Sequence, residues 1–136
     1  LSPSGIGAAI GTHLIQNGRI MQLSRDIIRP FYEEKCRHAL ACLTEHLRGL
    51  PFAVHKPEGA FFLWLWLRNL PVSCEEVYQR LKQRGVVVVP GHYFYPGLAE
   101  PWDHRDQCLR ISYAADPKTV ETGIAVLAQE VRKLYA

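Results

Sequence analysis

The chain has 136 residues, 48% hydrophobic and 21% charged, with a formal net charge of +3. That is the size and composition of one globular domain, or of one domain plus a helical extension. The charge is too small and too scattered for a nucleic-acid footprint, no apolar run is long enough to span a membrane, and no secretory signal is visible.

The first 18 residues open with Ser2-Pro3-Ser4-Gly5, a helix-start signal. A short helix is predicted after it, with Ile6, Ala9, Ile10 and Leu14 on one side, broken at Asn17-Gly18. Residues 19–48 read as a long helix whose apolar stripe runs through Leu23, Ile27, Phe31, Ala39, Leu43 and Leu47. Pro30 interrupts it, so a kink or restart is expected there. Gly49 and Pro51 end it.

Two strands follow, over 52–55 and 60–67, joined by Lys56-Pro57-Glu58-Gly59. The run from Phe61 to Leu67 is apolar on both faces and predicts a central strand covered on both sides. Ser73-Cys74-Glu75-Glu76 reads as a capping box, flanked by Val72 and Val77 as a hydrophobic staple, for a helix that stops at Gly85. Val86 to Val89 reads as a buried strand ended by Pro90-Gly91. Residues 92–107 form a loop rich in aromatic residues, His and Pro, and a strand follows over Cys108 to Ala114. Asp116-Pro117 caps a final helix with the apolar stripe Val120, Ile124, Leu127, Val131 and Leu134. The expected fold is therefore α/β, close to α+β. A mixed or antiparallel sheet of about four strands packs with helices, after a long kinked helix.

On the last strand, alternation puts Leu109, Ile111 and Tyr113 on a core face. Cys108, Arg110, Ser112 and Ala114 share the other face. A guanidinium fixed on a strand among small neighbours suits a carboxylate or phosphate, because its planar fork bonds two oxygens at once. The competing reading is a local ion pair with Asp106, or a side chain reaching to water.

The other candidates are weaker. Gly5-Ile6-Gly7-Ala8-Ala9-Ile10-Gly11 has its third glycine one place late for a dinucleotide loop and no strand before it. His92, His104 and Cys108 match no metal-ligand spacing, so no metal is expected. The four cysteines, Cys36, Cys42, Cys74 and Cys108, form no C-x-x-C pair and read as buried reduced thiols of a cytoplasmic protein. The loop from Gly91 to Gly97 is long and aromatic, which fits either a binding loop or a packed edge.

Three segments together resemble one family. They are Lys56-Pro57-Glu58-Gly59-Ala60-Phe61-Phe62-Leu63-Trp64, then Val89-Pro90-Gly91 with Phe94 and Gly97, then Leu109-Arg110-Ile111-Ser112-Tyr113-Ala114. In order and spacing they resemble the C-terminal small domain of fold type I, class I/II pyridoxal-phosphate aminotransferases. The likeness is nearest to the valine–pyruvate group and covers nearly the whole chain. It implies a helical segment over residues 1–50 that links to a missing large domain, and a small domain over 51–136. It also implies transfer of an amino group between a valine- or alanine-type amino acid and a pyruvate-type 2-oxo acid.

By the same resemblance Arg110 is the residue that clamps the substrate carboxylate. Gly91, Tyr93, Phe94 and Tyr95 would edge the substrate pocket, with the inward-facing aromatic left open. The cofactor, pyridoxal 5'-phosphate, would belong to the parent. Lys35, Lys56, Lys82, Lys118 and Lys133 lie outside the family's Schiff-base setting, so this chain would hold no catalytic or cofactor-binding residue and be inactive alone. The start at Leu1, with Met21 the single methionine, reads as a piece of a longer protein. The expected partners are small amino-acid and 2-oxo-acid substrates, with neither nucleic acid nor membrane. A homodimer or neighbour contact through residues 1–28 is expected to cover the first helix. The alternative is the effector domain of an aminotransferase-like transcription regulator.

Overall fold

The computed structural model describes residues 5–98, 100 and 102–136. The start signal at Ser2-Pro3-Ser4 lies outside these residues. The first helix, α1 (Gly5–Gln16), ends where Gly18 turns left-handed at φ 70°. Then come α2 (Arg19–Leu23), one wide π turn (Ser24–Ile28) and α3 (Arg29–His46). Pro30 lies in the first turn of α3 and explains the wide turn. It has no amide to bond backwards, and its ring crowds the preceding turn, so the helix widens before it and restarts after it.

Only the second half of the predicted stripe is buried. Ala39, Leu43 and Leu47 are fully enclosed, whereas Ile27 and Phe31 are 60% and 54% exposed. Along α1, Ile6 and Ile10 are exposed as well. The apolar side of the N-terminal helices therefore has no cover within the described residues.

Four strands follow in one fully antiparallel sheet: β1 (Phe52–Val54), β2 (Phe62–Leu67), β3 (Val89–Pro90) and β4 (Cys108–Ser112), in spatial order β1-β2-β4-β3. Leu63, Leu65 and Leu67 of β2 and Leu109 and Ile111 of β4 form its core face. Against them pack α3, α4 (Cys74–Gln83) and α6 (Pro117–Tyr135), through Leu43, Val77, Leu81, Ile124, Leu127 and Val131 among others. Each fully buried aliphatic side chain of this kind contributes about 1.5–3 kcal/mol.

The caps follow the sequence closely. Ser73 Oγ accepts from the Glu76 amide at 3.3 Å, and an Asp116 carboxylate oxygen accepts from the Thr119 amide at 3.0 Å. Glu76 does not complete the capping box; its carboxylate accepts from Arg80 one turn later, at 3.1 Å. Near the end of α6 the buried Glu130 accepts from Arg84 and Lys133, each at 2.7 Å. The Lys133 hydrogen bond, ahead of the Arg84 one, holds that carboxyl below its ordinary range against the opposing effect of burial.

Two strand expectations need correction. The predicted buried strand over Val86–Val89 shrinks to Val89–Pro90, and Val87 is 73% exposed. β3 is an edge strand that pairs with β4 alone, and the chain before Val89 does not follow β4 on to Ile111 and Ser112. β2 is also not enclosed between two helix layers. Its second face, Phe62, Trp64 and Trp66, is half-buried.

Candidate functional site

The antiparallel register of β2 and β4 builds the site. Phe62 pairs with Ser112, Trp64 with Arg110 and Trp66 with Cys108, so all six side chains share the face opposite the core. Val89 joins them from β3, again opposite Arg110. The loop between β3 and β4 folds back over this face. Its members are a single 3-10 turn (Gly91–Phe94) and the short helix α5 (Asp103–Asp106). Trp64 meets Phe94 edge-on at 5.2 Å between ring centroids, Tyr95 packs on Trp102 at 5.0 Å, and Trp66 packs on His104 at 4.7 Å.

Arg110 is half-buried at the centre of this surface. Its guanidinium carbon lies 4.2 Å from the centroid of the Phe62 ring and 5.0 Å from that of Phe94. Phe62 is its diagonal neighbour across the β2–β4 ladder, and Phe94 reaches in from the 3-10 turn. The expected competitor, an ion pair with Asp106, does not form. Asp106 faces Arg105 at 3.4 Å, because α5 turns it away from β4. Among the described residues Arg110 has no hydrogen-bond or ion-pair partner. Its guanidinium carbon lies over two rings, and its N–H groups remain available as donors.

The four loop residues named from the sequence separate by position. Phe94 contacts Arg110. Tyr95 is half-buried against Trp64 and Trp102. Tyr93 stacks on His92 and is otherwise exposed, at 63%. Gly91 is buried under the turn, where a Cβ would sit 2.7 Å from the Arg105 carbonyl oxygen and 2.8 Å from that of Cys108. It sets how closely the turn approaches the sheet. Phe62 was not singled out by sequence reasoning. The alternation of β2 places it on one face, but only the pairing of β2 with β4 puts Arg110 beside it.

Beneath the turn, Cys74, His92 and Asp106 bring possible ligand atoms within 4.8 Å of one another. They act as a tie between α4, the turn and α5. Cys74 Sγ lies 3.6 Å from His92 Nδ1 and donates to the Arg105 carbonyl at 3.7 Å. Burial pushes the Cys74 thiol up, which keeps it protonated. His104 takes a separate partner, Cys108, at 3.5 Å, and burial pushes that thiol up to about 12. Neither thiol has the character of a nucleophile.

The model of the family "Aminotransferase class I and II" matches residues 21–127. The chain belongs to this family. It is 43% identical over all 136 of its residues to valine–pyruvate aminotransferase of Escherichia coli (strain K12), and spans 33% of that protein. Among solved structures it resembles valine-pyruvate aminotransferase AvtA from Salmonella typhimurium LT2, with TM-score 0.92 and 43% identity over 99% of this chain and 35% of that one. It also resembles LysN, an α-aminoadipate aminotransferase from Thermus thermophilus complexed with N-(5'-phosphopyridoxyl)-L-leucine. There the TM-score is 0.72 and the identity 26%, over 90% of this chain and 30% of that one. The chain thus spans about a third of the length of these aminotransferases, and the aromatic face around Arg110 belongs to that third.

Proposed function

We propose that this chain is the substrate-carboxylate-binding part of a pyridoxal-phosphate aminotransferase. The enzyme would transfer an amino group between a valine- or alanine-type amino acid and a pyruvate-type 2-oxo acid. The observation that carries the reading is Arg110, a half-buried guanidinium over the rings of Phe62 and Phe94 with no acidic partner among the described residues. An amino acid and its 2-oxo acid differ at Cα and share the carboxylate. One bidentate arginine therefore serves both halves of the reaction and fixes the Cα–H bond for transfer. Apolar rings beside it reduce its contact with water, which strengthens an ion pair with a bound carboxylate. The identity to valine–pyruvate aminotransferase over the whole chain supports the enzyme over a regulator's effector domain.

Pyridoxal phosphate, where bound, would supply an aldehyde carbon that takes up the amino group and a ring that takes up the electron pair left at Cα. The side chains around Arg110 do not fit that group, which needs a lysine and a cradle of phosphate donors. They are rings, a protonated thiol and imidazoles. Lys35 donates to the carbonyls of Ala114 and Ala115, Lys56 pairs with Glu58 and Lys133 with Glu130, while Lys82 lies over Tyr78. The residues of this chain bind and orient the substrate's acid end and carry no step of the cofactor's chemistry. The chain alone is therefore expected to be inactive.

Residues 1–50 would lead from the rest of a cytoplasmic enzyme, and residues 51–136 would form its small domain. The exposed apolar side of α1, with Ile6 and Ile10, fits coverage in a homodimer or by that remainder. The test is steady-state kinetics of the full-length protein with L-valine and pyruvate. Arg110→Ala is expected to raise KM for both by about 100-fold, the worth of a charge-assisted bidentate pair. Unchanged kinetics would remove Arg110 from the site, and absence of transamination by the wild type would remove the proposed activity.

A further inference from the structure

The stack on Arg110 is built from two unlike halves. Phe62 is carried by the central strand β2 and is paired there with Ser112 of β4. Phe94 is carried by a four-residue 3-10 turn and is 39% exposed. The turn is seated by two features outside the site: the close approach of Gly91 to the Arg105 and Cys108 carbonyls, and the Cys74–His92 contact to α4. Trp64 braces the Phe94 ring from the sheet side, at 86° to it. Among the described residues nothing in this arrangement takes a hydrogen bond from the guanidinium.

That last point decides what the rings can do. A polar partner would orient the arginine by occupying N–H groups, the same groups a carboxylate needs. An aromatic ring holds the flat face by the attraction of a cation to its π cloud and leaves the edge donors untouched. We infer that Phe94 is a positioning residue: by stacking on Arg110 it holds the guanidinium plane so that its edge meets the substrate carboxylate. This rests on the carboxylate-clamp reading of Arg110. The ring acts on whatever binds through that carboxylate and not on the amine chemistry.

The side of the stack that can be lost is therefore the Phe94 side. Without that ring Arg110 keeps its charge and the Phe62 face, but gains freedom to swing. Amino acid and 2-oxo acid should then lose affinity together, because both enter through the same group. An amine without a carboxylate should be indifferent to the change.

The experiment uses the full-length protein and the variants Phe94→Ala, Phe94→Leu, Phe94→Tyr, Arg110→Ala and the double variant Phe94→Ala/Arg110→Ala. Phe94→Ala is expected to raise KM for L-valine and pyruvate alike by about tenfold, with a smaller effect on kcat. Phe94→Tyr keeps a ring face and should restore both values; Phe94→Leu keeps apolar bulk without the ring and should not. The double variant should be no worse than Arg110→Ala, and the slow reaction of isobutylamine, which is valine without its carboxylate, should not change with Phe94→Ala.

Three results would overturn the inference while leaving Arg110 as the clamp. They are full rescue by leucine, additive losses in the double variant, or an equal loss with isobutylamine. If Arg110→Ala itself changes nothing, the clamp reading fails first and the role of Phe94 falls with it.

Discussion

Replacing Gly91 with alanine tests whether the turn over the sheet is set by backbone contact. The added Cβ would lie 2.7 Å from the Arg105 carbonyl oxygen, 2.8 Å from the Cys108 carbonyl oxygen and 2.9 Å from Cys108 Cβ. Two of these atoms are backbone and the third is fixed to it, so no side chain can swing away to make room. Overpacking of a filled site costs about 1–3 kcal/mol, and the rigid neighbours place this one in the upper half, about 2–3 kcal/mol. For a chain of this size that corresponds to a fall in Tm of roughly 6–15 °C. The assay is thermal unfolding of the chain followed by circular dichroism, with Gly59→Ala as the control. Nothing lies within 4 Å of a Cβ at Gly59, and its φ is not positive. A Gly91→Ala variant that melts with the wild type would refute the contact account and show that the turn can lift from β4 at no cost.

Two further substitutions probe α6. Gly123 lies inside that helix with open space around its Cβ position, so Gly123→Ala should raise stability by about 0.5–1 kcal/mol, read as a higher urea midpoint. Asp116 caps the same helix, and its carboxyl is held below the ordinary range chiefly by the side-chain hydrogen bond from Thr119, then by the Thr119 amide. A carboxyl depressed in the folded state adds stability that is present above its unfolded value and lost as pH falls through the folded one. Asp116→Ala should therefore lower the urea midpoint at pH 7 and narrow the gap between pH 7 and acid. An unchanged gap would place the acid sensitivity elsewhere, with Glu130 the next group to examine.

Local chemistry made much of this architecture legible. Asp116-Pro117 marks the start of α6, Ser73 marks that of α4, and alternation along β4 separates Leu109 and Ile111 from Arg110. What escaped the sequence depends on partners far along the chain. Val86 to Val88 is as β-prone as any segment, yet at the sheet edge it stands off the ladder that Val89 and Pro90 make with β4. The aromatic face of β2 looked like the core of a two-sided sheet and is instead covered only by the loop that carries α5, because α3, α4 and α6 join the core on the other side. Arg110 could be placed on a face from its neighbours. Its freedom from Asp106 depended on a single turn of helix at Asp103–Asp106, and its contact with Phe62 on the register between two distant strands. The exposed side of α1 shows the same limit: an amphipathic pattern says that a face needs cover and not what covers it.

The most direct test of the clamp is a crystal structure of the full-length protein with a bound substrate acid. The account predicts a carboxylate whose two oxygens each lie about 2.7–2.9 Å from an edge nitrogen of Arg110, in the plane of the guanidinium, with Phe62 and Phe94 on its faces. A substrate carboxylate held by other groups, with Arg110 turned away from it, would contradict the account.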